Sequence, residues 1–203
     1  FNEEDWTDTD AEGCSAYNKS KTYAEKAAWD FINSDECNME LSVINPSLVL
    51  GPVLESDFGT SVELVKRFLN GGFPLAPNIS FGIVDVRDVA QLHLLALESP
   101  QASGNRFIAS SETLAIPLIS EFLRKKIPEY QKRLPKGTAP DFLIKLLGFF
   151  SPLMKTVANQ LGKTKELDNS KAKNILGWQP RSGEEAVIAS AKSLIEFDIV
   201  KSP

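Results

Sequence analysis

The sequence has little with which to bind a metal or form cross-links: two cysteines, Cys14 and Cys37, and one histidine, His93, occur in 203 residues. Two thiols match no disulfide framework and no zinc-type spacing, so they read as reduced thiols of a cytoplasmic protein, and no metal site is expected. A single histidine also leaves little room for a Ser-His-Asp hydrolase. Acidic residues outnumber basic ones, 27 to 22. The net charge of −5 argues against a surface that tracks nucleic-acid phosphates. No apolar run reaches the roughly 20 residues that a spanning helix needs. The longest, Phe142 to Val157, is interrupted by Lys145, Pro152 and Lys155, so no membrane partner is expected. The first residues, Phe1-Asn2-Glu3-Glu4-Asp5, are acidic where a secretory signal would be basic. With no Met and a polar start, this end reads as an internal surface loop with further sequence upstream.

What is present is an alternation of helix and strand. Apolar residues at Tyr17, Ala24, Ala27, Ala28, Phe31 and Ile32 recur at helical spacing, with Ser15 as a cap. Leu41 to Asn45 reads as a strand, and Leu48-Val49-Leu50 stays extended until Gly51-Pro52 turns the chain. Thr60-Ser61-Val62-Glu63 has capping-box spacing for a helix that Gly71-Gly72 ends. Ile79 to Val86 predicts a strand, Asp88 caps a helix to Glu98 with His93 on its inner side, and Arg106 to Ala109 predicts another strand. Beyond Ser110 the pattern is mainly helical and punctuated by proline. The strongly apolar Phe142 to Phe150 is expected to be core or the wall of a pocket.

Tyr17 and Lys21 lie four residues apart, so they share one helix face. A free phenol titrates near pH 10, too high for easy proton exchange at neutral pH. An ammonium at about 4.5 Å, with an effective dielectric near 20, favours the phenolate by roughly 3.7 kcal/mol. A tyrosine so placed can protonate a carbonyl oxygen as hydride reaches the carbon. Downstream, Asn45-Pro46-Ser47-Leu48-Val49-Leu50-Gly51-Pro52 closes the first strand, and ligands of open parallel sheets sit beyond strand carboxyl ends.

Four motifs then occur in order: Tyr17 to Trp29, Asn45 to Pro52, Val84-Asp85-Val86-Arg87-Asp88-Val89-Ala90 with His93, and Leu176-Gly177-Trp178-Gln179-Pro180-Arg181. Together they resemble the extended short-chain dehydrogenases/reductases, in the dihydroflavonol reductase-like and bacterial aldehyde reductase branch, over the C-terminal portion of that family. The resemblance implies an α/β fold: the C-terminal part of a Rossmann-type doubly wound parallel sheet plus a small, mainly helical substrate lobe. Residues 1–110 would complete the dinucleotide-binding domain, with a substrate-lobe insertion near 53–80, and residues 111–203 would form the lobe and C-terminal segment. It also implies NAD(P)H-dependent reduction of an aldehyde or ketone. Tyr17 would be the general acid, and Lys21 would acidify it and hold the nicotinamide ribose. Pro46, Ser47, Leu48 and Val49 would line the nicotinamide, and Ser61 would either touch the cofactor or cap its helix. NADP(H) is favoured over NAD(H) from the branch alone.

The Gly-rich phosphate turn and the active-site Ser or Thr of the family are absent from these residues. They would belong to an upstream segment without which the chain is inactive. A homodimer built on helices flanking the sheet is also compatible with the family. A sugar-nucleotide epimerase, a hydroxysteroid-type dehydrogenase and a non-catalytic NADP-sensing scaffold are the alternatives.

Overall fold

The computed structural model describes residues 1–34 and 37–203. The described residues form α1 (Ala16–Ile32), β1 (Ser42–Pro46), β2 (Leu48–Leu50), α2 (Thr60–Leu69), β3 (Ser80–Asp85), α3 (Val86–Glu98), β4 (Asn105–Ala109), β5 (Glu112–Ala115), α4 (Ile116–Lys126), α5 (Asp141–Gly148), α6 (Pro152–Ala158), α7 (Ser170–Leu176) and α8 (Gly183–Glu196). β1 pairs with β4 in parallel, Ser42 opposite Asn105 and Pro46 opposite Ala109. β2 pairs with β3 in parallel, Leu48 opposite Ile83, and β5 runs antiparallel on the other side of β3. Helical crossovers between parallel strands make this an α/β fold of Rossmann type. Only Ser47 separates β1 from β2, so nearly continuous extended chain passes from one sheet to the other; its amide donates to Ala109 O at 3.0 Å. Among the described residues β1 pairs with no strand other than β4.

β5 is a strand within the region after Ser110 that the sequence pattern marks as mainly helical. Its four residues offer one fully buried apolar side chain, Leu114, and its pairing to β3 supplies the order that local pattern does not.

Helix ends follow the sequence in part. Ser15 Oγ accepts from the Asn18 amide at 3.1 Å, and Gly71 and Gly177 take left-handed φ of 76° and 64°. The capping box expected at Thr60 or Ser61 does not form: Gly59 is the cap residue, and Glu63 pairs with Lys66 and Arg67. Asp85, not Asp88, caps α3, accepting from the Arg87 amide at 2.9 Å and from its guanidinium at 2.7 Å. Asp88 is buried and joins distant chain. Its carboxylate holds the Arg181 amide at 2.7 Å and the Arg181 guanidinium, and its carbonyl accepts from the fully buried Trp178 indole at 2.9 Å. His93, expected to be packed, is exposed, with Nδ1 2.8 Å from Val89 O.

Two cores result. The larger packs α2, α4 and α8 against β2, β3 and β5 through Leu50, Val65, Phe68, Ile83, Ile119 and Leu194. The smaller joins α3 and α7 to the sheet through Val84, Leu92, Phe107, Ala172 and Trp178. Both draw on residues before and after Ser110. α8 also clamps the turn after β2: Ser190 Oγ accepts from Gly51 N and donates to Gly51 O, each at 2.8 Å, and Ser193 Oγ accepts from Val53 N at 2.9 Å. Gly51 has φ 118°, and a Cβ there would stand 2.9 Å from Asp85 Oδ1. α5 and α6 pack mainly on one another. Contrary to the expectation of core, Phe142, Leu146, Phe149 and Phe150 are exposed there.

Candidate active site

α1 is tied to the sheet by polar contacts more than by apolar burial; Thr22 is its one buried residue. The tie is Glu25. Its Oε1 accepts from Arg106 Nε at 2.6 Å and from Trp29 Nε1 at 3.3 Å. Its Oε2 accepts from Asn45 Nδ2 at 3.0 Å and from Arg106 Nη2 at 3.3 Å. Burial alone would raise the Glu25 titration point, but the hydrogen bonds from Arg106, Trp29 and Asn45 and the Arg106 charge outweigh it and hold it below 4.5.

Arg106 is itself fixed from the N-terminal segment. Its guanidinium lies 3.9 Å from the Trp6 ring centre and donates to the carbonyls of Glu3 and Asp5. The buried Glu3 carboxylate accepts from the Ile108 amide at 3.0 Å.

Tyr17, Lys21 and Glu25 follow at four-residue intervals and form one stripe along α1. Lys21 Nζ lies 5.6 Å from the Tyr17 ring centre. Both side chains are exposed, Tyr17 at 69%. With a rise of 1.5 Å per residue, Tyr17 stands about 12 Å along the helix axis from the Glu25 anchor.

The remaining predicted residues divide between two clefts. A cleft of about 350 Å³ at the end of β1 is lined by Pro46 and Ser47 together with Asn45, Trp6, Arg106 and Lys165. In its wall Asn45 Oδ1 and Ser47 Oγ are buried without a hydrogen-bond partner. An orphaned acceptor beside an orphaned hydroxyl suits a ligand carrying both an N–H donor and a carbonyl, as a carboxamide does. A second, mainly apolar cleft of about 520 Å³ is lined by Val49, the Gly51–Pro52 turn, Phe58, Ser61 and Val86. Leu48 faces the larger core instead. Ser61 caps nothing and sits on the wall of this second cleft.

The sequence pattern did not single out Glu25, Arg106 or the Asn45 side chain. One available signal was the extension of the Tyr17–Lys21 stripe by a further four residues to a carboxylate.

Known proteins of this architecture include enzymes. No family model matches the chain. NADPH-dependent methylglyoxal reductase GRE2 of Saccharomyces cerevisiae is 32% identical over 98% of the chain and 57% of its own length. Cinnamoyl-CoA reductase CAD2 of Medicago truncatula is 38% identical over 66% of the chain and 40% of its own length. The crystal structure of yeast methylglyoxal/isovaleraldehyde reductase Gre2 complexed with NADPH superposes with a TM-score of 0.76 at 29% identity, over 98% of the chain and 57% of that protein. These relatives share a Rossmann-type α/β fold. The chain belongs with the extended short-chain dehydrogenases/reductases, as a C-terminal portion of that architecture. It spans little more than half the length of GRE2.

Proposed function

We propose that the polypeptide carrying this chain reduces an aldehyde or ketone to the alcohol with NADPH, Tyr17 donating the proton and Lys21 acting as its charged partner. The observation that carries the reading is the Lys21 ammonium over the Tyr17 ring, on a helix whose next turn is bonded to the end of β1. NADPH is preferred to NADH because GRE2 is named as NADPH-dependent and its structure is an NADPH complex.

When bound, the cofactor supplies hydride to the carbonyl carbon. Tyr17 passes its phenolic proton to the carbonyl oxygen, and solvent restores it. Lys21 stabilises the phenolate left behind and is placed to hold the nicotinamide ribose. Asn45, Pro46 and Ser47 form a wall with unsatisfied polar atoms that suits the carboxamide, and the apolar cleft beside Val49 and Phe58 suits the substrate's hydrocarbon part. No Gly-rich phosphate turn occurs in these 203 residues, so the reading includes dependence on an N-terminal part of the polypeptide.

Tyr17→Phe in the full-length polypeptide tests it. Removing the hydroxyl should lower kcat by about 10²- to 10⁴-fold while NADPH affinity stays within about twofold. NADPH oxidation by the variant at the parent rate would rule Tyr17 out as the donor.

A further inference from the structure

We infer that Arg106 is a positioning residue for the Tyr17–Lys21 pair: by holding the Glu25 carboxylate, it keeps the charge of Lys21 available to Tyr17. The inference rests on Tyr17 being the proton donor.

Lys21 stands midway on its stripe, one helical turn from Tyr17 and one turn from Glu25. Lysine and glutamate at this spacing ordinarily attract. Here the structure places Lys21 Nζ over the tyrosine ring, and among the described residues it makes no ion pair with Glu25. The carboxylate itself gives the reason. It offers about four lone-pair directions, and Arg106 Nε, Arg106 Nη2, Asn45 Nδ2 and Trp29 Nε1 occupy them. No direction remains for an ammonium.

Without Arg106 the Glu25 carboxylate, one helical turn from Lys21, loses its cation and becomes free to pair with the Lys21 ammonium, which draws that charge away from Tyr17.

The neighbouring charges do not substitute for Arg106. The Glu3 carboxylate is bonded to Ile108 N, and Asp5 Oδ2 accepts from the Asn2 amide at 2.8 Å. Lys26 Nζ lies 5.6 Å from the Trp6 ring centre, and Lys165, in the wall of the first cleft, lies 5.9 Å from that of Phe1. Arg106 is therefore the cation bonded to Glu25, and it is fixed from behind by Trp6 and two carbonyls.

The test follows alcohol oxidation by the full-length polypeptide with NADP⁺, a direction that needs the phenolate, as a function of pH. Arg106→Met should move the midpoint of the rising limb of kcat/KM upward by about one pH unit. The double variant Glu25→Gln/Arg106→Met restores the net charge and should return the midpoint to the parent value, although it lacks both halves of the ion pair. Glu25→Gln alone keeps both cations and should move the midpoint downward; this arm suffices if Arg106→Met does not fold. A merely structural ion pair predicts loss of stability with an unmoved midpoint in every variant. An unmoved midpoint in Arg106→Met or Glu25→Gln, or an unrestored one in the double variant, overturns the inference. If Tyr17→Phe keeps parental turnover, the underlying mechanism fails; if it is inactive while the midpoints stay fixed, this inference fails alone.

Discussion

Glu25 shows how one side chain can link helix placement to pH. Its titration point lies below 4.5 in the folded chain because Arg106, Trp29 and Asn45 donate to the ionised form. A group depressed by folding contributes stability above its unfolded value, and the contribution is lost as pH falls through the folded value. Acidification through and below the ordinary carboxylate range should therefore loosen the attachment of α1. Indole fluorescence, which includes Trp6 and Trp29 beside this network, should report the change. Glu25→Gln should show a weaker acid transition in this range, and an identical transition in parent and variant would separate Glu25 from it. The roles proposed for Tyr17 and Lys21 rest on their spacing together with the four motifs in family order. Glu25 resembled any solvated helix glutamate, since its partner Arg106 lies 81 positions away and no local pattern announces such a pairing.

At the level of elements, boundaries set by local chemistry were legible. Ser15 caps α1, Gly71 and Gly177 stop their helices, and β1 to β4 fall within a residue or two of their β-branched runs. Features decided by tertiary partners were not. β5 exists because β3 has a free edge for it, and Asp85 rather than Asp88 became the cap because Asp88 is committed to Arg181 and Trp178. Apolar composition also misled at α5, where helix period places Phe142, Leu146 and Phe149 on one face and that face is solvent-exposed, Phe149 at 84%. Phe149→Ser should thus change unfolding free energy by no more than about 0.5 kcal/mol. Phe68→Ala, in the fully buried wall between α2 and the sheets, should lower it by about 3–5 kcal/mol. Urea titration of both variants compares them directly, and comparable losses would mean that α5 is packed after all.

Across the whole molecule, the two cores close around a sheet region that holds candidate nicotinamide- and substrate-facing walls but no phosphate-binding turn. Affinity for a dinucleotide depends heavily on its pyrophosphate, which a helix N-terminus and glycine amides ordinarily hold. The 203-residue chain alone should consequently bind NADPH weakly at best, with no saturation in a fluorescence titration to about 100 µM. Tight, saturable binding would show that these residues grip the cofactor unaided. The fold class was readable because four separated motifs fall in family order. Both cores mix residues from the two sides of Ser110.

β1 hydrogen-bonds to β4 and, among the described residues, to no other strand. An open strand edge presents backbone amides and carbonyls that pair readily with extended chain. Among the described residues, the open edge of the strand carrying Asn45 thus borders the carboxylate network that steadies α1.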